Sequence, residues 1–249
     1  MIAEKVVYIP DTHVPYQDEQ AVETALKMVY WYKPDLICFL GDFLDYAPLS
    51  RYMKDSVAER AATSMKAEFD AGNRLFDRFT KHCQNVVYLD GNHESRYQPY
   101  IDQHPEVRGL VEPEKGLEFS QRKKDGYKIR HFRYNECFRN GNLYATHGWY
   151  TNQHHAQKHV NSFCRSVVYG HIHDVQVATA ISPIDQSRKH MAVCLGCLCN
   201  RSPEYMRNAP NKWVHCLGIA HFRRNGDFNL DPVVISDGVA SYAGRTFSS

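Results

Sequence analysis

The chain of 249 residues is long enough for one large domain, and its 43% hydrophobic content supports a sizeable core. The 30 basic residues nearly balance the 28 acidic ones, so the net charge of +2 does not by itself indicate a nucleic-acid partner. No apolar run reaches the roughly 18 residues of a membrane-spanning helix, and the first residues lack the features of a secretion signal. We therefore expect a single cytoplasmic domain over residues 1–249 without membrane contact.

The first half of the chain alternates strand-like runs with helical patterns. Apolar runs at 6–9, 36–40 and 86–89 are typical of buried strands. Apolar residues recur at helical spacing over 18–33, and a long helical stretch follows over 55–81. This βαβαβ order predicts a mainly parallel sheet covered by helices.

The second half contains shorter strands. Apolar triplets at 143–145 and 167–169 flank a predicted helix over 152–164. Four more strand-like segments follow, and Asn225-Gly226 predicts a hairpin turn between the last two. These segments are 175–181, 190–197, 214–223 and 228–235. We therefore expect an α/β layer followed by a more antiparallel β portion.

Five polar clusters interrupt this pattern, each directly after an apolar run or within two residues of one. The clusters are Asp11-Thr12-His13, Gly41-Asp42, Gly91-Asn92-His93-Glu94, His147-Gly148 and Gly170-His171-Ile172-His173. Each should lie at the carboxyl end of a strand, where the loops of an α/β sheet form the ligand crevice. The clusters should therefore meet in space although they span more than 160 positions of the sequence.

The side chains of these clusters favour one chemistry. Imidazoles and carboxylates suit divalent transition metals such as Mn, Fe, Zn or Ni. Two ions about 3.5–4 Å apart need a shared ligand, and a carboxylate has two oxygens to offer. Two such ions polarise the oxygens of a phosphate and lower the pKa of a bridging water until it is a hydroxide near neutral pH. The clusters thus indicate a metal-dependent phosphoester hydrolase.

The order of the motifs, D-x-H, GD-x-x-D, GNHE, H and GH-x-H, resembles that of the calcineurin-like metallophosphoesterases. The match spans residues 11–173, with Asp45 as the last residue of the second motif. The resemblance implies an α/β fold, a four-layer sandwich of two β-sheets flanked by helices. It also implies hydrolysis of phosphomonoesters or phosphodiesters with two divalent metal ions, Mn²⁺ being favoured, and a metal-bridging hydroxide as the nucleophile.

The resemblance also implies a role for each matched residue. The ligands of the two ions would be Asp11, His13 and His173 for one and Asn92, His147 and His171 for the other. Asp42 would bridge both ions. His93 would stabilise the transition state or protonate the leaving oxygen. Asp45 and Glu94 would orient His93 or the metal ligands.

The sequence departs from one branch of this family. Serine/threonine protein phosphatases carry Asp-Arg-Gly after their GD motif, whereas residues 43–48 here read Phe-Leu-Asp-Tyr-Ala-Pro. This difference disfavours a protein phosphatase. A catalytically silent metal-binding scaffold is another possibility for such a fold, but the complete ligand set and His93 argue against it.

The segment 122–133 is basic, with six Lys or Arg residues. Basic and aromatic residues alternate there, as on surfaces that follow a phosphate backbone and stack bases. Nuclease activity on DNA or RNA is therefore the alternative function, and an ordinary exposed hairpin turning at Asp125-Gly126 is the competing interpretation. Arg96 and Arg130 are candidate substrate-binding residues, and we expect residues 95–141 to form a cap-like insertion that selects the substrate.

His155 and His159 form an i, i+4 pair in the predicted helix. We expect them on a solvated or rim-facing surface, with a third metal site as the alternative. The cysteines Cys194, Cys197 and Cys199 alternate with apolar residues, as in a buried strand. A zinc site formed by these cysteines with Cys216 is the alternative for them.

Overall fold

The structure, a computed structural model, describes residues 2–50, 64–187, 189–203 and 209–249. Its strands are β1 (Ile2–Ile9), β2 (Leu36–Phe39), β3 (Asn85–Leu89), β4 (Lys128–Phe132), β5 (Phe138–Asn140), β6 (Leu143–Ala145), β7 (Ser166–Tyr169), β8 (Val175–Ile181), β9 (Lys189–Leu195), β10 (His215–Arg223), β11 (Phe228–Ile235), β12 (Val239–Tyr242) and β13 (Arg245–Ser248). Its α-helices are α1 (Glu19–Tyr32), α2 (Met65–Thr80), α3 (Tyr97–Gln103), α4 (Pro113–Gly116), α5 (Phe119–Lys124) and α6 (His155–Phe163). Short 3₁₀ turns lie at Ala47–Leu49, Glu94–Arg96 and Pro105–Val107.

Two large sheets form the centre of the fold. The six-stranded sheet has the order β11-β10-β1-β2-β3-β4, and the pairs from β1 to β4 are parallel, as the sequence predicts. The five-stranded sheet has the order β5-β6-β7-β9-β8. Its strands β6, β7 and β9 are parallel and only its two outer pairs are antiparallel. The strands after residue 174 nevertheless pair mostly antiparallel, as expected, since β8 pairs so with β9, β10 with β1 and β11, and β12 with β13.

Alternate side chains of the strands enter different layers. In β1, Val7 packs into an apolar cluster with residues of α1 and α2, whereas Val6 packs between the two sheets. In β7, Val168 faces the other sheet, whereas Val167 packs with residues of α6. Both faces of both sheets are thus covered, and this explains why the strands read as continuous apolar runs. The arrangement of helices, sheet, sheet and helix confirms the predicted four layers.

The two long helices begin at side-chain caps. Asp18 Oδ1 accepts a hydrogen bond from the Ala21 N–H at 2.9 Å, and Ser64 Oγ accepts one from the Ala67 N–H at 3.1 Å. The helix predicted over 55–81 is observed from Met65, and the start of that prediction lies outside the described residues. Among the helices in the described parts of the chain, none is long and apolar enough to cross a membrane.

The predicted hairpin at Asp125-Gly126 is wrong. Residues 119–124 form α5, which buries Phe119, and the chain then turns at Gly126 with φ +97°. The following strand β4 pairs in parallel with β3, so it is the end of a crossover rather than one arm of a hairpin. The many basic residues of this segment dominate its sequence pattern, so the pattern does not reveal the apolar positions, such as Phe119 and Ile129, that pack into the core.

The region 95–141 is built into the domain. It supplies α3, α4, α5, β4 and β5, and β4 is the edge strand of the six-stranded sheet. Tyr97, Leu117 and Ile129 from this region belong to the apolar cluster that covers the sheet. A role in selecting the substrate must therefore come from those of its residues that reach the site.

Candidate metal centre

The five polar clusters lie at the carboxyl ends of their strands. The strands and the side chains that follow them are β1 (Asp11, His13), β2 (Asp42), β3 (Asn92), β6 (His147) and β7 (His171, His173). Because β1, β2 and β3 are parallel neighbours, and β6 and β7 are parallel neighbours in the facing sheet, these loops open at one edge. The structure brings all seven side chains together there.

Asp42 lies between two groups of possible ligands. Its Oδ2 is 3.3 Å from Nε2 of His147 and 3.7 Å from Nε2 of His13. One group combines Asp42 with His147 and His171, and the other combines it with Asp11 and His13. Within each group the ligand atoms lie within 4.8 Å of one another. A carboxylate shared in this way suits a pair of ions.

Two more side chains extend these groups. Nε2 of His173 lies 3.3 Å from Oδ1 of Asp11 and 3.2 Å from Nε2 of His13. On the other side, Oδ1 of Asn92 lies 2.8 Å from Nε2 of His147. The result is a largely buried set of nitrogen and oxygen donors, with Asn92 and His171 partly exposed, which is the chemistry that divalent transition metals prefer. The residues present therefore fit the two ions that the motifs imply.

The backbone at this centre is unusual. The residues His13, Asp42, His171 and His173 have φ values of 51°, 48°, 72° and 64°. Residues other than glycine rarely adopt this left-handed region, and those that do concentrate at functional sites. The His171 N–H also donates to both carboxylate oxygens of Asp11 at 2.9 Å. The loops are thus held in a costly conformation that aims the side chains at one point.

Two glycines allow the carboxylates of Asp42 and Asp11 to lie close against the backbone. A Cβ on Gly91 would lie 2.1 Å from Oδ1 of Asp42, and a Cβ on Gly170 would lie 1.9 Å from Oδ2 of Asp11. Any side chain at either position would displace a predicted metal ligand. Close approach, rather than a special backbone angle, is therefore what requires glycine in these two motifs.

The charges of the centre act on one another. Burial raises the pKa of Asp42, but His147, His93 and His13 outweigh it and hold that pKa well below its usual range. Burial lowers the pKa of His147, yet Asp42 raises it to about 10. Burial and His147 together lower the pKa of His171 to about 4. Asp42 is therefore ionised at neutral pH, as a bridging ligand must be.

His93 stands beside the ligand set and is held by Asp45. Its Nδ1 lies 2.9 Å from the carbonyl oxygen and 3.0 Å from Oδ1 of Asp45. The same Oδ1 lies 2.9 Å from Nδ1 of His13, so Asp45 orients both rings. Arg96 donates to the Asp45 carbonyl at 2.8 Å and places its other nitrogen 3.0 Å from Nε2 of His93. Burial lowers the pKa of His93, but Asp42 and Asp45 outweigh it and raise that pKa.

Glu94 is fully buried and binds the loops rather than the reacting groups. Its oxygens accept hydrogen bonds from the backbone N–H groups of Asp42, Leu44 and Gly91 and from the Tyr88 hydroxyl. Burial and Asp42 raise its pKa to about 7. Glu94 thus sets the distance between the loops that follow β2 and β3.

Comparison with known proteins agrees with this arrangement. Residues 4–175 match the family model of the calcineurin-like phosphoesterases. This chain belongs to the calcineurin-like phosphoesterase family. The matched region contains each of the seven side chains of the centre together with His93.

Individual similar proteins share little sequence identity with this chain. The gene 54 protein of Mycobacterium phage L5 is 26% identical over 104 residues, which are 41% of this chain and 40% of that protein. The chain thus aligns with about two fifths of that relative's length. Among solved structures, Vps29 of Chaetomium thermophilum has a TM-score of 0.44 at 9% identity, covering 93% of this chain and 98% of that one. YfcE, a phosphoesterase from E. coli, has a TM-score of 0.39 at 13% identity, covering 93% and 97%.

The structure brings one of the two candidate arginines to the candidate metal centre. Arg96 lies beside His93, as described above. Arg130 lies in β4 with its guanidinium 3.4 Å from Oδ1 of Asn85, the first residue of β3. Asn85 and Asn92 are at opposite ends of that strand, so Arg130 is separated from the ligand set by the length of the strand.

The basic residues of segment 122–133 do not form one surface. Arg122 is buried, donates to the Leu117 carbonyl at 2.9 Å and pairs with Asp77. Three others line a shallow depression beside Asn85; these are Lys123, Lys128 and Arg130. This depression lies at the amino ends of the parallel strands, away from the metal ligands.

The expected surface position of His155 and His159 is wrong, since both side chains are buried. Nδ1 of His159 lies 2.8 Å from the His155 carbonyl, and its Nε2 accepts from the Trp149 N–H at 3.0 Å. Both ring nitrogens of His159 are therefore engaged, and the pair does not share an ion. Sequence spacing could not show this, because Trp149 lies in the loop before the helix.

The eight cysteines are free thiols. Cys194 packs against α6, whereas Cys216 packs between the sheets, so these two do not belong to one site. Cys199 lies close to the centre: its Sγ is 3.9 Å from Nδ1 of His173, and it forms a group of possible ligands with His13 and His173. Sequence reasoning missed this contact, although the position of Cys199 just beyond β9 was a usable signal.

Proposed function

We propose that this protein hydrolyses phosphomonoesters or phosphodiesters at a two-metal centre. The main support for the proposal is that Asp42 belongs to both groups of possible metal ligands. In this proposal Asp42 would bridge the two ions. The remaining ligands would be Asp11, His13 and His173 for one ion and Asn92, His147 and His171 for the other. Two bound divalent ions supply a hydroxide near neutral pH and polarise the phosphoryl oxygens.

The orientation of His147 supports this assignment. Its Nδ1 lies 2.9 Å from the Leu40 carbonyl oxygen, which can only accept, so Nδ1 carries the proton. Nε2, which faces Asp42 and Asn92, is then the atom that would give up its proton and offer its lone pair when a metal binds. A histidine that donates its other N–H to a carbonyl is the usual arrangement at metal sites, because it fixes the ring and the tautomer.

We propose that His93 protonates the leaving oxygen. Its Nδ1 is held by Asp45, and its Nε2 lies 3.8 Å from Oδ2 of Asp42, at the open side of the ligand set. In this structure Nε2 accepts from Arg96 at 3.0 Å, and once that guanidinium turns to a phosphoryl oxygen Nε2 can hold a proton for the leaving oxygen. Arg96 lies next to this atom, and its planar guanidinium suits two oxygens of a phosphoryl group at once.

Two aromatic side chains border the centre and bear on the substrate. The ring of Trp213 lies 4.3 Å from the ring of His173, and the ring of Tyr134 lies 6.2 Å from that of His147. Both are partly exposed. Tyr134 and Arg96 come from the region 95–141, so we propose that this region selects the substrate. Flat apolar surfaces here favour an ester whose alcohol part is aromatic or nucleoside-like.

Cleavage of DNA or RNA is the alternative within the same chemistry. The segment 122–133 does not support it, because Arg122 is buried and Arg130 lies beside Asn85 at the far end of β3. Direct assay decides between the two substrate classes.

The test uses the purified chain before and after chelation and after addition of Mn²⁺. Substrates are an aryl phosphomonoester, an aryl phosphodiester, a cyclic nucleotide, and labelled single- and double-stranded DNA and RNA. We expect hydrolysis of a small phosphoester that is lost on chelation and recovered with Mn²⁺. Asp42→Asn should lose activity and both ions, whereas the exposed Asp102→Asn should lose neither.

Full turnover by verified metal-free protein would refute the proposal. Metal binding without hydrolysis of any substrate would instead support the catalytically silent scaffold. Cleavage of nucleic acid with no cleavage of the small diester would replace the proposed substrate class.

A further inference from the structure

A second cluster of ligand-type side chains lies on the outer side of the five-stranded sheet, under α6. It consists of His155 at the start of α6, Asp174 just before β8 and Cys194 in β9. Each offers one ligand atom, and the three atoms lie within 4.8 Å of one another. His155 is 1% and Cys194 0% exposed, and the Asp174 side chain is 14% exposed. Two of the three residues are thus inaccessible to solvent.

The polar atoms of this cluster contact one another with poor hydrogen-bond alignment. Nε2 of His155 and Oδ1 of Asp174 are 2.9 Å apart, within ion-pair distance, yet both are buried and neither has a well-aligned hydrogen bond. The distance suits a hydrogen bond, so it is the direction that fails. Buried nitrogen and oxygen atoms nearly always have a partner, and exceptions in native proteins point to a bound water or ion.

A further contact fixes the His155 ring. Its Nδ1 lies 2.7 Å from the Tyr169 hydroxyl, at the end of β7. This contact leaves Nε2 directed at Asp174 and Cys194. Metal-binding histidines usually engage their other nitrogen in this way, because the hydrogen bond sets the ring orientation.

We propose that His155, Asp174 and Cys194 bind a third divalent metal ion, with zinc favoured. Imidazole, carboxylate and thiolate together suit zinc, whose bonds of 2.0–2.3 Å place tetrahedral ligands roughly 3.3–3.8 Å apart. The three ligand atoms lie within 4.8 Å of one another, with 2.9 Å between those of His155 and Asp174, so small side-chain shifts reach this spacing. On binding, the Cys194 thiol loses its proton to solvent, and the weak contact of Sγ with the Gly170 carbonyl at 3.4 Å gives way to the metal bond.

Such an ion would connect three elements behind the main centre. His155 belongs to α6, Cys194 to β9, and Asp174 directly follows His173 in the loop after β7. That loop also carries His171, and both histidines have positive φ. The third ion would therefore brace the strained loop that presents two ligands of the proposed catalytic centre.

Cobalt substitution tests the site without reference to activity. The metal-free protein is loaded with Co²⁺, and thiolate-to-cobalt absorption in the near ultraviolet is recorded with the number of bound ions. We expect a thiolate band and three ions per chain. Cys194→Ala should lose the band and one ion, whereas Cys216→Ala, another buried cysteine, should keep both. Asp42→Asn should lose ions from the main centre and keep the band, so failure here is distinguishable from failure of the proposed function.

Two further variants complete the design. Cys199→Ala checks the other thiol near metal ligands and should keep the band. His155→Gln should lower the affinity for the third ion about tenfold or more. This variant replaces Cys194→Ala as the test if Cys194→Ala does not fold. A band absent from the wild type, or one that persists in Cys194→Ala and disappears in Cys199→Ala, would overturn the proposal.

Discussion

Glu94 holds Asp42 through the backbone: Oε2 of Glu94 accepts a hydrogen bond from the Asp42 N–H at 2.9 Å. The same oxygen accepts from the Gly91 N–H at 2.8 Å, and Oε1 accepts from the Leu44 N–H and the Tyr88 hydroxyl. One buried carboxylate therefore joins the loops after β2 and β3. Since these loops carry the proposed bridging ligand and the proposed catalytic histidine, the spacing of these two residues depends on a residue outside the proposed ligand set.

Glu94→Gln should lower the free energy of unfolding. An amide has only one acceptor oxygen, so its NH₂ group must face donors that Glu94 now satisfies, and each unsatisfied buried donor costs about 1–3 kcal/mol. Urea unfolding measures the loss. The exposed Glu106→Gln is the control and should leave the curve unchanged. Equal stability of the two variants would contradict this role.

His93→Ala should lower kcat by ~10²–10⁴ while leaving the metal content intact, because the side chain contributes to proton transfer and its backbone N–H still donates to Asp42 Oδ1. Initial rates and metal analysis of the same preparation measure both effects. The exposed His104→Ala is the matched control. An unchanged rate would remove His93 from the mechanism.

Arg96→Ala should lower kcat/KM by about 10–100-fold, the worth of one or two charge-assisted hydrogen bonds to phosphate. Arg96→Lys should recover only part of this, because lysine lacks the planar pair of donors. Arg130→Ala is the control from the far end of β3 and should behave as wild type. If the Arg130 variant lost as much as the Arg96 variant, the substrate would not lie where we place it.

Gly91→Ala should abolish metal binding at the main centre and destabilise the protein. Its Cβ would lie 2.1 Å from Asp42 Oδ1 and 2.3 Å from the Asp42 nitrogen, so the carboxylate has to move. Gly109→Ala is the comparison, since its Cβ would meet nothing within 4 Å and only backbone strain applies. Metal analysis and thermal unfolding measure the two effects, and a Gly91 variant that retains both ions contradicts the prediction.

Glu68 should make stability depend on pH. Burial raises its pKa from 4.5 to about 8. An acid whose pKa is raised in the folded state stabilises the fold below its unfolded pKa and loses this contribution as pH rises through the folded value. The free energy of unfolding should therefore fall between these values by up to about 1.4 kcal/mol per pH unit.

Glu68→Gln should flatten that fall, because an amide resembles the protonated acid at every pH. Urea unfolding of both proteins at several pH values between about 5 and 8 tests this. Parallel curves for the two proteins would show that Glu68 does not titrate in this range.

Much of the fold and of the metal centre was accessible from the sequence. Buried strands read as apolar runs because both of their faces are covered, and the end of each run marks where a predicted ligand such as Asp11 or His147 follows. These are local properties of a few adjacent residues. The sequence by itself therefore determined which side chains lie at the edge of the sheets.

Only the tertiary structure decided which of these residues meet. Asp45 is shared by His13 and His93, and His155 faces Asp174 instead of its helical neighbour. Such contacts depend on the order and register of strands that are distant in sequence. The parallel pairing of β4 with β3 likewise carries the basic segment away from the centre. Local patterns contain no information on these pairings, because the free energy that selects them comes from packing between sheets, helices and loops.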